Sequence, residues 1–294
     1  MAHALSIDVE DWFHPEALRG AVRPEDWPRL ESRAGHNVER LLRLLDAAQT
    51  RATFFVLGWV AEKEPDLVTR LAAAGHEIAS HGWAHRMITQ QSPEEFEDDL
   101  RRSLRLLRAQ SGGRVVGYRA PSFSVVRETV WALDVLLDHG VEYDSSIFPV
   151  HHDRYGMPGA PRAPYRVAWR DARELWELPP ATLHVLGRTL PAAGGGYLRL
   201  LPYGVSACAL RRLEREGIPG VVYTHPWEYD TEQPRVALPR LRSLRHYGNV
   251  GGMETKLARL LREFSFTTCA EVLRAARGAA PEAAAAALAG VEGV

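Results

Sequence analysis

Cysteine is nearly missing from this chain of 294 residues: Cys208 and Cys269 are the only two, and neither sits in a paired motif. A disulfide framework and a cysteine-built zinc knuckle are thereby excluded, and two buried free thiols are expected. Long apolar runs are missing as well; none approaches the roughly 20 residues of a membrane-spanning helix. Neither sign of charge is in excess, since Lys+Arg 36 stand against Asp+Glu 37 for a formal net charge of -1. No overall basic field therefore points to nucleic acid. The opening Met1-Ala2-His3-Ala4-Leu5 shows no basic stretch followed by a long apolar one, so no secretory signal is visible and a cytoplasmic location is expected. What remains is ordinary for a folded chain: 46% hydrophobic and 25% charged residues, a mixture that supports a substantial core and rules out disorder.

Short apolar runs alternate with amphipathic ones. Strands are expected at Ala4–Val9, Thr53–Leu57, His76–Ser80, Val115–Tyr118, Val141–Tyr143, Leu175–Leu178, Val221–Thr224 and Ser265–Thr268. Helices are expected at Val38–Ala48, Glu64–Ala74, Pro93–Gln110, Glu128–His139, Val205–Glu216 and Met253–Glu263. The helices rest on three-to-four spacing, as in Val38, Leu41, Leu42, Leu44 and Leu45, and on boundary residues such as Ser92 before Pro93 and Gly112-Gly113 beyond Gln110. Such alternation specifies an α/β fold with a parallel sheet covered by helices, open or closed into a barrel. Residues 145–203 interrupt it with a density of proline and with Gly194-Gly195-Gly196, and so long an irregular stretch reads as a functional insertion. Residues 1–274 read as one domain and 275–294 as an Ala-rich tail.

In folds of this class, ligands gather at the C-terminal ends of the strands. Five expected strand ends carry ionisable groups: Asp8-Val9-Glu10-Asp11, His81 with His85, Arg119, Asp144, and His225-Pro226-Trp227-Glu228. His81 and His85 are four apart, so on a helical turn both rings would face one way and grip one cation. Along an extended strand Asp8 and Glu10 point to one face and Asp11 to the other; an acidic trio also suits the cap of a helix N-terminus. Two histidines and one carboxylate leave coordination positions open, a donor set that activates water for hydrolysis and equally serves a non-haem iron oxygenase. A further carboxylate as general base, Arg119 as its partner and His225 as proton donor would make the hydrolytic set complete.

The ordered residues Asp8…Glu10-Asp11, His81-x-x-x-His85, Arg119-x-Pro121 and Thr224-His225 resemble the polysaccharide deacetylases with a NodB-homology domain, carbohydrate esterase family 4. The longer strings SIDVEDWFH, YDSSIFP, HDRYGMPGAPR, GGGYLRLLP and YTHPWEYD resemble more narrowly the exopolysaccharide-locus members associated with exosortase systems. The likeness runs from about Leu5 to Val272. It implies a distorted (β/α) barrel of seven strands. It also implies a metal-dependent hydrolase, with Zn2+ as the divalent cofactor. The substrate implied is an N-acetylated polysaccharide or glycan intermediate of exopolysaccharide biosynthesis, which loses the N-acetyl groups of its amino sugars.

By the same resemblance, the metal ligands fall on His81, His85 and an acidic residue of the first motif. The general base falls on Asp8, the base-orienting arginine on Arg119 and the general acid on His225. The first motif reads Asp-Val-Glu-Asp where the family usually has adjacent aspartates, which leaves the third ligand between Glu10 and Asp11; strand alternation sets Glu10 beside Asp8 and favours it. The family's aspartate that steadies the acid histidine has no clean match, and Glu177 is the stand-in. Trp12, Phe13, Trp83, Phe123, Trp227 and Tyr229, with Pro121, can wall a sugar site or pack a core, while Tyr197 and Arg199 can close over substrate. Competing readings are an amidohydrolase for a non-sugar amide, a catalytically silent carbohydrate-binding barrel, and a metal-free glycosidase using Asp8 and Glu10.

Overall fold

Strand and helix alternate through a computed structural model that describes residues 1–152, 155–170 and 172–279. In chain order the elements are β1 (His3–Val9), α1 (Ala34–Ala47), β2 (Thr53–Val56), α2 (Gly58–Lys63), α3 (Pro65–Ala73), β3 (Glu77–Ser80), α4 (Pro93–Ser111), β4 (Gly117–Tyr118), α5 (Trp131–Asp138) and β5 (Tyr143–Asp144). There follow β6 (Tyr165–Arg170), β7 (Arg173–Glu177), β8 (Thr182–Val185), β9 (Arg188–Pro191), α6 (Gly195–Leu200), α7 (Tyr203–Arg215), β10 (Val221–Thr224), α8 (Arg240–Tyr247), α9 (Met253–Glu263), β11 (Phe266–Thr267) and α10 (Cys269–Ala279). The tail expected from 275 overlaps the end of α10, and 280–294 lie outside the described residues.

The main sheet has the order β10-β1-β2-β3-β4-β5-β7, every neighbouring pair parallel, with β6 antiparallel on the outer side of β7 and β11 beside the start of β1. Beyond β7 the chain reaches Pro180, which forms a parallel bridge with Val221 of β10, and Ala181 N donates to Val221 O at 2.8 Å. The sheet therefore curls until its two ends meet, joined at that point by one bridge rather than a ladder. Strands β8 and β9 form a separate hairpin.

Alternation along β1 divides the core in two. Leu5, Ile7 and Val9 join Val38, Leu41 and Leu45 of α1 in the layer between sheet and helices. Ala4 lies instead with Phe55, Ala79, Tyr143, Trp176 and Val221 inside the curl, where Cys269, Val272 and Leu273 of α10 fill the space at the strand starts. Ser6 and Asp8 continue the Ala4 side toward the strand end. The inside is thus apolar at one end and polar at the other, and the polar end is the one where chemistry can be placed. Of the two free thiols, Cys269 is buried but Cys208 is exposed, because it falls off the stripe of Ala207, Leu210 and Leu213 that α7 buries.

Helix α4 shows how local sequence sets these boundaries. Ser92 Oγ accepts from Glu95 N at 3.2 Å and Ser92 N donates to Glu95 Oε2 at 3.0 Å, a reciprocal cap. Gly112 ends the helix in the left-handed region, at φ 65°. Between them Phe96, Leu100, Leu104 and Leu107 are buried on one side, each contributing about 1.5–3 kcal/mol of apolar burial. No helix among the described residues is long and apolar enough to cross a membrane.

Candidate metal centre and active site

Glu10 follows β1 directly and is buried. Its Oε1 lies 3.2 Å from His81 Nε2 and 3.0 Å from His85 Nε2. One ligand atom from each residue falls within 4.8 Å of the others, the only such His/Cys/Asp/Glu group among the described residues. The two imidazoles do not sit on a helical turn, contrary to the expectation from their spacing. Residues 81–85 are irregular, with Gly82 at φ 73° and His85 at φ 50°, and the loop is held by Trp83 N donating to Asp99 Oδ1 at 2.7 Å. The left-handed turn at Gly82 needs no Cβ; that at His85 is a strained backbone of the kind found at functional sites.

Tautomer and charge suit this triad to a divalent cation. His81 Nδ1 donates to the Arg119 carbonyl at 2.7 Å, which leaves the Nε2 lone pair turned toward Glu10. Burial would raise the Glu10 pKa, but the neighbouring His85, His225 and His81 side chains hold it well below the usual carboxylate range. Two imidazole nitrogens and one ionised oxygen converging in a buried site are a fitting donor set for Zn2+ or a similar ion. Asp11 is not part of it. Its carboxylate accepts from Trp12 N at 2.9 Å and from Arg33 N at 3.1 Å, at the start of α1, because alternation turns it away from Glu10.

Asp8 stands beside the triad. Its Oδ1 accepts from Arg119 Nη1 at 2.7 Å, and its Oδ2 lies 3.8 Å from His225 Nε2. Arg119 is fully buried and fixed at each nitrogen: Nη1 also donates to Ser6 Oγ, Nη2 to Ser145 Oγ and Nε to Ser145 O, all within 3.1 Å. Its guanidinium lies 4.2 Å from the centre of the Phe55 ring.

His225 closes the site from β10. Its Nδ1 is 3.1 Å from Glu228 Oε2, which also takes bonds from His225 N and Thr224 Oγ1, while Glu228 Oε1 accepts from Arg199 Nε at 3.0 Å. Burial works against a charge on His225, but Glu10, Glu228 and Asp8 outweigh it and raise its pKa to about 9. Burial likewise opposes the Glu228 charge, yet His225 and Arg199 bring its pKa down to about 2. Trp227 stacks between His225 and His246, with centroids at 5.3 and 4.6 Å.

The sequence set Glu228 at this strand end without assigning it to His225, and Glu177 does not take that position. Glu177 accepts from Ile147 N at 3.0 Å on the far side of Ser145, where it meets Asp144. Burial pushes Asp144 up to about 6, and burial with the Asp144 charge pushes Glu177 well above its ordinary value. Signals for Glu228 were present: Pro226 starts a tight turn, and the residue three positions after His225 folds back under the ring.

The aromatic and loop residues separate into two kinds. Trp83 packs on Gly58 and beneath the Arg102 guanidinium, Trp12 and Phe13 lie in a cluster with Leu18 and Trp27, and Tyr229 is buried against Thr224 Oγ1; these are packing contacts. Arg199 is also no lid residue. It is 1% exposed and committed to Glu228 and to the carbonyls of Arg245 and Gly248. Pro121 opens a buried tight turn that carries Phe123, which packs with Phe148 and Tyr223. Tyr197 reaches Tyr155, the two hydroxyls 3.2 Å apart. Gly194 brings the loop to Tyr223 so closely that a Cβ would lie 2.0 Å from its ring.

Residues 26–143, which carry His81, His85 and Arg119, match the polysaccharide deacetylase family model. The chain carries a polysaccharide deacetylase domain. Residues 145–274, which supply His225 and Glu228, match a domain of unknown function, DUF3473; β7 and β10 of this segment belong to the same sheet as β1–β5. The chain is 29% identical over 154 residues to a peptidoglycan deacetylase of Helicobacter pylori, covering 52% of this chain and 50% of that protein. It is 33% identical over 112 residues to a peptidoglycan deacetylase-like protein of Gibberella zeae, 37% of this chain and 32% of the other. A chitooligosaccharide deacetylase of Bradyrhizobium is 28% identical over 96 residues, 33% of this chain and 42% of the other. The aligned stretches thus span half or less of these deacetylases. In fold the chain is similar to a solved Mycobacterium smegmatis chain described as a polysaccharide deacetylase (TM-score 0.64, 20% identity, covering 95% and 90% of the two chains). It is similar also to the Puue allantoinase (TM-score 0.62, 16% identity, 96% and 92%).

Proposed function

We propose that the chain is a metal-dependent hydrolase that removes N-acetyl groups from the amino sugars of a polysaccharide or glycan intermediate, in exopolysaccharide biosynthesis, with Zn2+ as its ion. The observation that carries this reading is the meeting of three sets of groups at one strand-end site: Glu10 with His81 and His85, Asp8 with Arg119, and His225 with Glu228.

Glu10 Oε1, His81 Nε2 and His85 Nε2 are the atoms that would hold the ion. Once bound, the ion supplies Lewis-acid polarisation of the acyl oxygen and acidifies a neighbouring water. Asp8 takes the proton of the attacking water on Oδ2, since Oδ1 is engaged by Arg119. Arg119, held on all three nitrogens, keeps that carboxylate from turning. As the C–N bond breaks, His225 delivers its Nε2 proton to the departing amine, which would be too basic to leave as an anion. Glu228 accepts from Nδ1 and steadies the charged ring. Phe123 and Tyr197 lie on the side of Tyr223, where a sugar ring would be received.

Acetate release from N-acetylglucosamine oligomers, followed with the wild type and with Asp8→Asn, tests the proposal. The asparagine can still accept from Arg119, so the fold is retained while kcat falls by about 10²–10⁴. Undiminished turnover in Asp8→Asn would remove it as base, and turnover of small amides with none of any amino sugar would replace the substrate.

A further inference from the structure

Helix α8 presents an unusual outer face. At about 100° per residue, Leu241 and Leu244 lie opposite the face that buries His246 and Tyr247, with Arg240 on one flank and Arg242 and Arg245 on the other. All five outer residues are exposed, the leucines by 62% and 61%. None of the three arginines forms an ion pair among the described residues. Leu200 of α6, 40% exposed, widens the patch: a Cβ on Gly248 would touch both Leu200 and Leu244. The helix is firmly seated, since His246 stacks on Trp227 and Tyr247 Oη accepts from Val236 N at 2.9 Å. A solvated helix normally carries polar groups where these leucines stand.

We propose that α8 docks the protein on a membrane surface bearing anionic lipid, the leucines entering the headgroup boundary and the arginines pairing with phosphates. Apolar side chains at the centre of a face with basic ones at its margins are the arrangement by which interfacial helices bind such surfaces. The charges alone would also suit an acidic polymer, but a polymer gives no reason for the exposed leucines. Docking there holds the bilayer two stacked rings away from His225.

The test is co-sedimentation of the full chain with vesicles of equal parts phosphatidylglycerol and phosphatidylcholine, and with phosphatidylcholine alone. Binding is expected to the anionic vesicles only, weakening as salt rises. R240E/R242E should reduce the partition coefficient by about tenfold or more, and L241S/L244S by about fivefold at unchanged charge. Acetate release from a soluble oligomer should be unaffected by either pair, which separates this result from the proposed chemistry. Failure to bind anionic vesicles, or binding that survives both double variants, overturns the proposal. So does loss in R240E/R242E with none in L241S/L244S, the signature of a surface for an acidic polymer.

Discussion

Glu228→Gln preserves the shape of the side chain and removes its charge from His225. The raised pKa of His225, about 9, is the balance of burial, which lowers it, against Glu10, Glu228 and Asp8, which raise it more. A divalent ion on Glu10 offsets that residue's share, so in the loaded enzyme Glu228, at 3.1 Å from Nδ1, becomes the chief group holding the proton. Removing a full charge in hydrogen-bond contact lowers the pKa by at least about one unit, ~1.4 kcal/mol. In the proposed reaction His225 acts protonated, so activity would be present below its pKa and lost as pH rises through it. The basic limb of kcat/KM should therefore move down by about one pH unit or more, with about a tenfold loss on the alkaline side. Arg199 keeps its bonds to the carbonyls of Arg245 and Gly248, so the variant should fold. The assay is acetate release across pH with metal-loaded protein; an unmoved basic limb and unchanged kcat/KM would refute the role given to Glu228.

Two further substitutions probe the framework. Arg199→Met leaves Glu228 buried with one cationic partner fewer and should cost about 3–5 kcal/mol in chemical denaturation; a loss below about 1 kcal/mol would show the pair to be dispensable. Glu177→Gln keeps the acceptor for Ile147 N and supplies Asp144 with a permanent N–H donor. Because both carboxyls are raised in the folded state, the pair favours folding least at high pH, so the variant should melt about 2–4 °C higher on the alkaline side and close to wild type in acid. Lower melting under both conditions would contradict the raised pKa values of this pair.

Periodicity made most of the fold legible. The Ser92 cap and the Phe96–Leu107 stripe fix α4 from local signals alone, and β1, β2, β3 and β10 stand close to their apolar runs. Elements between 145 and 203 were harder to read. β6 buries Tyr165 and Val167 but ends in exposed residues at the sheet edge, and the β8–β9 hairpin is largely outside the core, so neither bears a strong pattern. In the site, Glu10 lies with His81 and His85 while Asp11 turns to Trp12 N and Arg33 N, the separation that alternation along an extended strand leads to. The spacing of His81 and His85 suggested a helical turn, whereas the pairing arises from two left-handed residues in a loop, which no periodicity encodes. Glu177 was the stand-in the sequence offered for the residue beneath His225; a tight turn folds Glu228 there instead, and position along a chain says little about which carboxylate such a turn brings under a ring.

Metal analysis combined with acetate release before and after chelation tests the whole account most directly. One equivalent of divalent ion per chain is predicted, with acetate release lost on chelation and restored by Zn2+, and with both properties lost in His85→Ala. Acetate release that persists in fully chelated protein, or full metal content in His85→Ala, would contradict the assignment of Glu10, His81 and His85 to one catalytic ion.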